Sequence, residues 1–221
     1  MKIKVLVVDD TIFYRKVVSD ILNELPGIEV VGTANNGEIA LSRIRSLKPD
    51  LITLDIEMPV MNGLQLLEEI NKQDLKIDTI MLSSKTLRSS EATMQALQLG
   101  AFDFIAKPDD SSADVNKQQI KKSLNSILQA YKRHTQSGLK IKKSSFIKPL
   151  QIRRPAVKSF KRTEKSHVIA IGISTGGPNA LAKMIPKLPA DIGVPILLVQ
   201  HMPPVFTASL AKSLDQKSGL A

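Results

Sequence analysis

The chain has 221 residues and a net charge of +10 at neutral pH, from 31 Lys or Arg against 21 Asp or Glu, a length that holds one full domain and part of another. It has no cysteine, which excludes disulfides, thiolate metal sites and cysteine nucleophiles. Its apolar runs fall far short of the roughly 20 residues that span a bilayer, and the sequence leads from Met1 straight into a strand with no signal peptide, so a cytoplasmic protein without membrane insertion is expected.

Taken in chain order, the pattern alternates strand and helix. Ile3 to Val8 is a continuous apolar strand ending in Asp9-Asp10. Ile12, Val17, Val18, Ile21, Leu22 and Leu25 then recur at helical spacing until Pro26-Gly27. A short strand is expected over about Ile28 to Thr33, followed by a helix carrying Ile39, Ala40, Ile44 and Leu47 before Pro49. Leu51 to Leu54 is a buried strand that ends in Asp55-Ile-Glu-Met-Pro. After the turn at Asn62-Gly63, Leu64, Leu66, Leu67 and Ile70 mark a helix. Ile80-Met-Leu leads into Ser83, Met94, Leu97 and Leu99 mark the next helix, and Phe102 to Ala106 ends in Lys107-Pro108. The last helix of this set is expected over roughly Ala113 to Tyr131. Five strands alternating with five helices imply an α/β fold with a doubly wound, five-stranded parallel sheet.

From residue 132 to 166 the character changes. Residues 132 to 165 hold twelve Lys or Arg against one acid, Glu164, so the positive charge of the chain belongs to this stretch. It lacks periodic apolar spacing and contains Pro149 and Pro155, which reads as a basic interdomain linker. A flexible chain of that length has a root-mean-square span on the order of 30 Å. Only Phe146 and Phe160 interrupt it, too few aromatics for base stacking, so no specific nucleic-acid partner is expected.

Residues 167 to 221 start a second α/β unit. Val168 to Ile173 is strand-like, Ser174-Thr-Gly-Gly is a tight turn, and Pro178-Asn-Ala-Leu opens a helix with Pro in its first turn. Pro195 to Gln200 is a second strand. In a parallel sheet its carboxyl end carries His201 to the rim that holds Ser174, and a hydroxyl beside a base suggests acyl transfer.

In the N-terminal region three carboxylates, Asp9, Asp10 and Asp55, meet at strand ends, an arrangement that is costly unless a hard cation such as Mg²⁺ shares them. Ser83 and Lys107 add a hydroxyl and an ammonium to the same rim. Helix capping by Asp9 and Asp10 near Thr11 is the competing structural explanation.

This set of strand-end residues resembles the receiver domain of two-component response regulators, a flavodoxin-like fold, over residues 1 to 131. The resemblance implies that Asp55 is the phospho-acceptor, that Asp10 binds Mg²⁺ directly and Asp9 through water, and that Glu57 contributes its backbone carbonyl. It implies that Ser83, with Ser84 as a competitor, hydrogen-bonds the phosphoryl group, that Lys107 neutralises it, and that Phe104 follows the switch. The segments ISTGGP, QHMPP and FTASLA resemble the protein-glutamate methylesterases of bacterial chemotaxis, the CheB family, with Ser174 as nucleophile and His201 as base and no cofactor for the esterase. That resemblance implies a histidine kinase as phosphodonor and methylated chemoreceptors as substrate, with glutamine deamidation as a second activity. It also implies a docked receiver that hinders the esterase cleft until phosphorylation. The family's third triad member, in a GMGxDG-like motif, is absent, and Asp191 and Asp215 read as surface residues. The expectation is therefore a methylesterase truncated within its catalytic domain, the alternative being a phospho-acceptor switch with an inactive esterase segment.

Overall fold

The computed structural model describes residues 2–109, 112–138 and 167–220. The N-terminal part alternates β1 (Ile3–Val8), α1 (Ile12–Glu24), β2 (Ile28–Ala34), α2 (Gly37–Leu47), β3 (Leu51–Asp55), α3 (Gly63–Lys72), β4 (Asp78–Ser83), α4 (Leu87–Gln98), β5 (Asp103–Ala106) and α5 (Ala113–Gly138). All strands are parallel, in the order β2-β1-β3-β4-β5, so the expected doubly wound sheet is formed and β5 is an edge strand. The three central strands read as apolar runs because both of their faces are covered. Val5 to Val8 of β1 and all five residues of β3 are buried.

Two apolar layers sandwich the sheet. Val18, Ile21 and Leu22 of α1 pack with Ile120, Leu124 and Ile127 of α5 on one face. Ala40 and Ile44 of α2, Leu66, Leu67 and Ile70 of α3 and Met94 and Leu97 of α4 cover the other. Local sequence fixes the ends of these helices. Asn62 and Gln65 form a reciprocal capping box at α3. Gly63 N–H donates to Ile56 O at 2.9 Å, and a Cβ on residue 63 would overlap the Asp55 carbonyl, so only glycine closes this loop against the end of β3.

α5 runs past the expected boundary at Tyr131 to Gly138. Its last turns carry no apolar stripe, so the period that marked the helix ends before the helix does. The remainder of the basic segment, 139–166, lies outside the described residues.

The C-terminal part forms β6 (Ile169–Ile173), α6 (Gly177–Met184) with a following 3-10 turn at Ile185–Lys187, β7 (Ile196–Gln200) and α7 (Pro204–Asp215). β6 and β7 pair in parallel as a two-stranded sheet, Ile169 opposite Ile196 through Ile173 opposite Gln200. With so few strands the sheet is incompletely covered: Leu197, Leu198 and Val199 are 59%, 40% and 71% exposed.

The two parts are packed together through α4. Leu181, Phe206, Leu210 and Leu214 join the apolar cluster that contains Met94, Ala96 and Leu97. Ser90 Oγ and Ser209 Oγ, both buried, lie 2.7 Å apart, and Gln98 Nε2 donates to Ser213 Oγ at 2.8 Å. At the edge of β5, Asn179 Nδ2 donates to Ala101 O and Phe102 O at 2.6 and 3.0 Å.

Candidate functional site

At the carboxyl end of the five-stranded sheet, β1, β3 and β5 bring Asp9, Asp55 and Lys107 into one cluster. Lys107 Nζ lies 2.8 Å from Asp9 Oδ2 and 2.9 Å from Asp55 Oδ1, and all three side chains are nearly enclosed. Asp9 Oδ1 accepts from the Thr11 N–H and hydroxyl at 2.9 and 2.6 Å, so one oxygen of Asp9 caps the turn into α1 while the other faces the ammonium. Ile56 N–H donates to Asp55 Oδ1 at 2.9 Å. Asp10 completes the group from the exposed side.

Burial pushes the Asp55 carboxyl up to about 6, Lys107 opposing and Asp9 adding to the rise. For Lys107 burial works to lower the value, but Asp55 and Asp9 outweigh it and the ammonium is held above its usual range. The Lys107 ammonium also sits 4.4 Å over the Tyr14 ring, a cation–π contact absent from the sequence expectations. Two buried carboxylates against one ammonium, with Asp10 at the exposed rim, leave an excess of negative charge at this strand end.

Ligand oxygens of Asp9, Asp10 and Asp55 all lie within 4.8 Å of one another, and the buried Asp9 Oδ2 is met by the Lys107 ammonium. An all-oxygen, anionic donor set of this kind fits a hard divalent cation such as Mg²⁺. Glu57 is outside this cluster through its side chain, whose Oε1 accepts from Ser89 Oγ at 2.7 Å.

Ser83 is fully buried at the end of β4, with its hydroxyl engaged by α4. It donates to Ser89 O at 3.3 Å and to Ser84 O at 3.2 Å, and Thr93 Oγ1 lies 2.8 Å away. Ser84 instead bonds Ser89 Oγ at 2.7 Å. Phe104, half-buried on β5, packs against Phe206 of α7 with ring centroids 4.6 Å apart.

The second group of candidates faces this edge of the sheet. Ser174 and His201 follow β6 and β7 directly, and the His201 N–H donates to Ile173 O at 3.2 Å, continuing the ladder beyond the strands. Both line a cleft of about 630 Å³ whose opposite wall is β5 and α5, including Phe104, Lys122 and Ser126. Gly176, in the left-handed conformation at φ 72°, caps α6, and its N–H donates to Asp103 Oδ2 at 2.8 Å. Burial raises the Asp103 carboxyl above its ordinary range, opposed by the N–H groups of Gly176 and Phe104. Among the described residues, the Ser174 hydroxyl and the His201 ring make no hydrogen bond with each other. Asp191 and Asp215 are exposed, as expected of surface residues.

Residues 5–119 match the response regulator receiver domain family. The chain belongs to that family. Over 59% of its length it also superposes on 96% of the response regulator domain of Thermotoga maritima CheB, at 41% identity and a TM-score of 0.53. Beyond the receiver, residues 169–221 match the CheB methylesterase family. A protein-glutamate methylesterase/protein-glutamine glutaminase of Desulfotalea psychrophila is 52% identical across 97% of this chain, and one of Bacillus subtilis 47% identical across 99%. The chain spans 61% of the length of each of these two relatives. No helix among the described residues is long and apolar enough to cross a membrane.

The receiver cluster of Asp9, Asp10, Asp55 and Lys107 was fully visible in the sequence. Tyr14, Thr93, Asp103, Asn179 and Gln200 were not. Of these, only Gln200 carried a signal, as the residue before His201 in QHMPP.

Proposed function

We propose that this chain is a phosphorylation-controlled chemotaxis response regulator, cytoplasmic, whose C-terminal part hydrolyses glutamate methyl esters and deamidates glutamines on chemoreceptors. The observation that carries the reading is the placement of two chemistries on one strand: β5 leads into Lys107 of the phosphoryl cluster and walls the cleft that holds Ser174 and His201.

In the receiver, the Asp55 carboxylate attacks the phosphorus of a kinase phosphohistidine, the imidazole leaves, and an acyl phosphate forms on Asp55. Asp9, Asp10 and Asp55, with the Glu57 carbonyl, would hold Mg²⁺, which supplies electrostatic stabilisation to the transferring phosphoryl oxygens. Lys107 turns from the Asp55 carboxylate to the new phosphoryl oxygens. Ser83 hydrogen-bonds the phosphoryl group, for which its hydroxyl must leave Ser89 O and Thr93, loosening the tie between β4 and α4. Phe104 follows that rearrangement, and its packing on Phe206 carries it to α7.

In the cleft, the Ser174 hydroxyl attacks the γ-acyl carbon while His201 takes its proton. Methanol, or ammonia from a glutamine, leaves with that proton, and water then releases the acyl-enzyme. Backbone N–H groups of the Ser174-Thr-Gly-Gly turn and the following helix start are the oxyanion donors. In the docked arrangement Gly176 N–H is taken by Asp103, which supports control of this site by the receiver.

A second reading, a phospho-acceptor switch with an inactive esterase segment, is favoured by one observation: no acid hydrogen-bonds the His201 ring among the described residues. Loss of the orienting acid costs about 10⁴ in turnover in a serine protease. Methanol release from methylated receptor decides between them. The methylesterase reading expects release stimulated by a small phosphodonor with Mg²⁺, unstimulated in Asp55→Asn and abolished in Ser174→Ala. Phosphorylation of Asp55 without methanol release would establish the switch instead.

A further inference from the structure

Two glycines follow Thr175 in the turn that carries Ser174, and they have different reasons. Gly176 sits at positive φ, where L side chains are strained. Gly177 does not, so its backbone alone would accept alanine. What a side chain there would displace is the Gln200 amide: a Cβ on residue 177 would overlap Gln200 Oε1 and crowd Cδ and Nε2 at 2.9 and 3.0 Å.

The amide seated against Gly177 spans the two strand ends. Gln200 Nε2 donates to Ser174 O at 3.1 Å and to His201 O at 3.2 Å. Both partners are carbonyls, which only accept, so the orientation of the amide is fixed by chemistry: turned over, its oxygen would face two oxygens. Gln200 Oε1 is buried without a hydrogen bond among the described residues, so the two donated bonds hold the group in place. Ser174 O additionally accepts from Gly177 N–H at 2.7 Å. One carbonyl therefore joins the Ser174 turn, the first residue of α6 and the end of β7.

We infer that Gln200 is a positioning residue that staples the Ser174 turn to the His201 turn and so sets the separation of hydroxyl and imidazole, with Gly177 kept bare to admit its amide. This rests on Ser174 and His201 being nucleophile and base. Neither turn has another side-chain tie to its neighbour among the described residues, and the ladder bond from His201 N–H ends at Ile173 O, one residue short of Ser174. Displacement of reacting groups by about 1 Å is enough to cost on the order of 10²-fold in rate.

The test is steady-state ester hydrolysis on methylated receptor peptide by the intact protein. Gln200→Ala should lower kcat about 10²-fold with KM within about twofold, as expected when geometry in the transition state is lost and binding is not. Gly177→Ala, which expels the amide, should show the same loss. The double variant should be no worse than the worse single one, because both act through one contact. Gln200→Glu keeps the size but loses the donors, and should fail like Gln200→Ala; it carries the test if the alanine variant does not fold. Wild-type kcat in Gln200→Ala or Gln200→Glu, or losses that multiply in the double variant, would overturn the inference while leaving the esterase reading intact. Undiminished activity in Ser174→Ala would instead sink the esterase reading. The staple is then judged by hydrogen exchange at the His201 amide, where faster exchange in Gln200→Ala supports it and unchanged exchange overturns it.

Discussion

Lys107 is the residue on which the receiver cluster balances, because among the described residues it is the one cation paired with both the buried Asp9 and Asp55. Replacing it by methionine keeps its stem but leaves two carboxylates facing each other. Removing one partner of a buried ion pair typically costs about 3–5 kcal/mol. Lys107→Met should therefore unfold at lower urea in chelator, and Mg²⁺ should restore much of the loss by taking over the charge; a midpoint unmoved by Mg²⁺ would mean that the carboxylates do not share a cation. Asp55 gives the opposite sign. Its folded value of about 6 lies above the model-peptide value of 3.8, so folding favours the neutral acid. That stabilising preference is fully present below about pH 4 and is lost as the pH rises through 6. Asp55→Asn in chelator should accordingly be more stable than the parent at pH 7.5, by up to about 3 kcal/mol at 1.36 kcal/mol per unit, and equal to it near pH 4. Thermal melts across that range check the crossover, and a uniform offset at all pH values would refute it.

At the level of elements, α4 and α7 behave as one packed unit. Phe206 of α7 is fully buried and tilts onto Phe104 of β5, so Phe206→Ala removes the largest fully buried side chain. Truncation of a buried phenylalanine costs about 3–5 kcal/mol, and here the cost falls on docking, since the sheet and its two layers are built without it. Amide exchange should quicken over α6 and α7 and stay slow in β1 and β3. Uniform acceleration would instead make the two parts a single cooperative unit. This contact was not legible in the sequence. The strands of the receiver were, because burial on both faces writes an uninterrupted apolar run, and the carboxylates were, because they sit where such runs stop. Ser90 with Ser209, Asp103 with Gly176 and Gln200 with Gly177 pair residues distant in sequence, and nothing local distinguishes a serine that faces another helix from one that faces water. The end of α5 was missed for a related reason: a solvated helical turn needs no apolar period, so periodicity cannot mark its limit.

Across the whole molecule, the Asp9, Asp55 and Lys107 cluster and the cleft that holds Ser174 and His201 are joined by two chains of contacts that converge on the same helices. One runs from Ser83 through Thr93 and Ser89 into α4 and then, by Ser90 and Ser209, into α7. The other follows β5 itself, where Lys107, Phe104 and Asp103 meet in turn the phosphoryl cluster, Phe206 and the Gly176 N–H. On the proposed function, a phosphoryl group on Asp55 would draw Ser83 and Lys107 toward itself and so remove ties that favour the docked arrangement. A coupling of about 1.4 kcal/mol, within the usual range between sites, is a tenfold shift in the docking equilibrium. Adding a small phosphodonor with Mg²⁺ should therefore raise amide exchange at Gly176 and along α7 about tenfold, with β1 and β3 unchanged. Asp55→Asn under the same conditions should show no rise, which separates phosphorylation from any direct effect of Mg²⁺. Thr93→Val supplies a further check on the first route: with the α4 hold on Ser83 weakened, α7 should exchange faster before any phosphodonor is added. If phosphorylation of Asp55 is complete by mass and α7 exchange does not change, the two sites are neighbours without being coupled, and control of the cleft by the receiver must be abandoned.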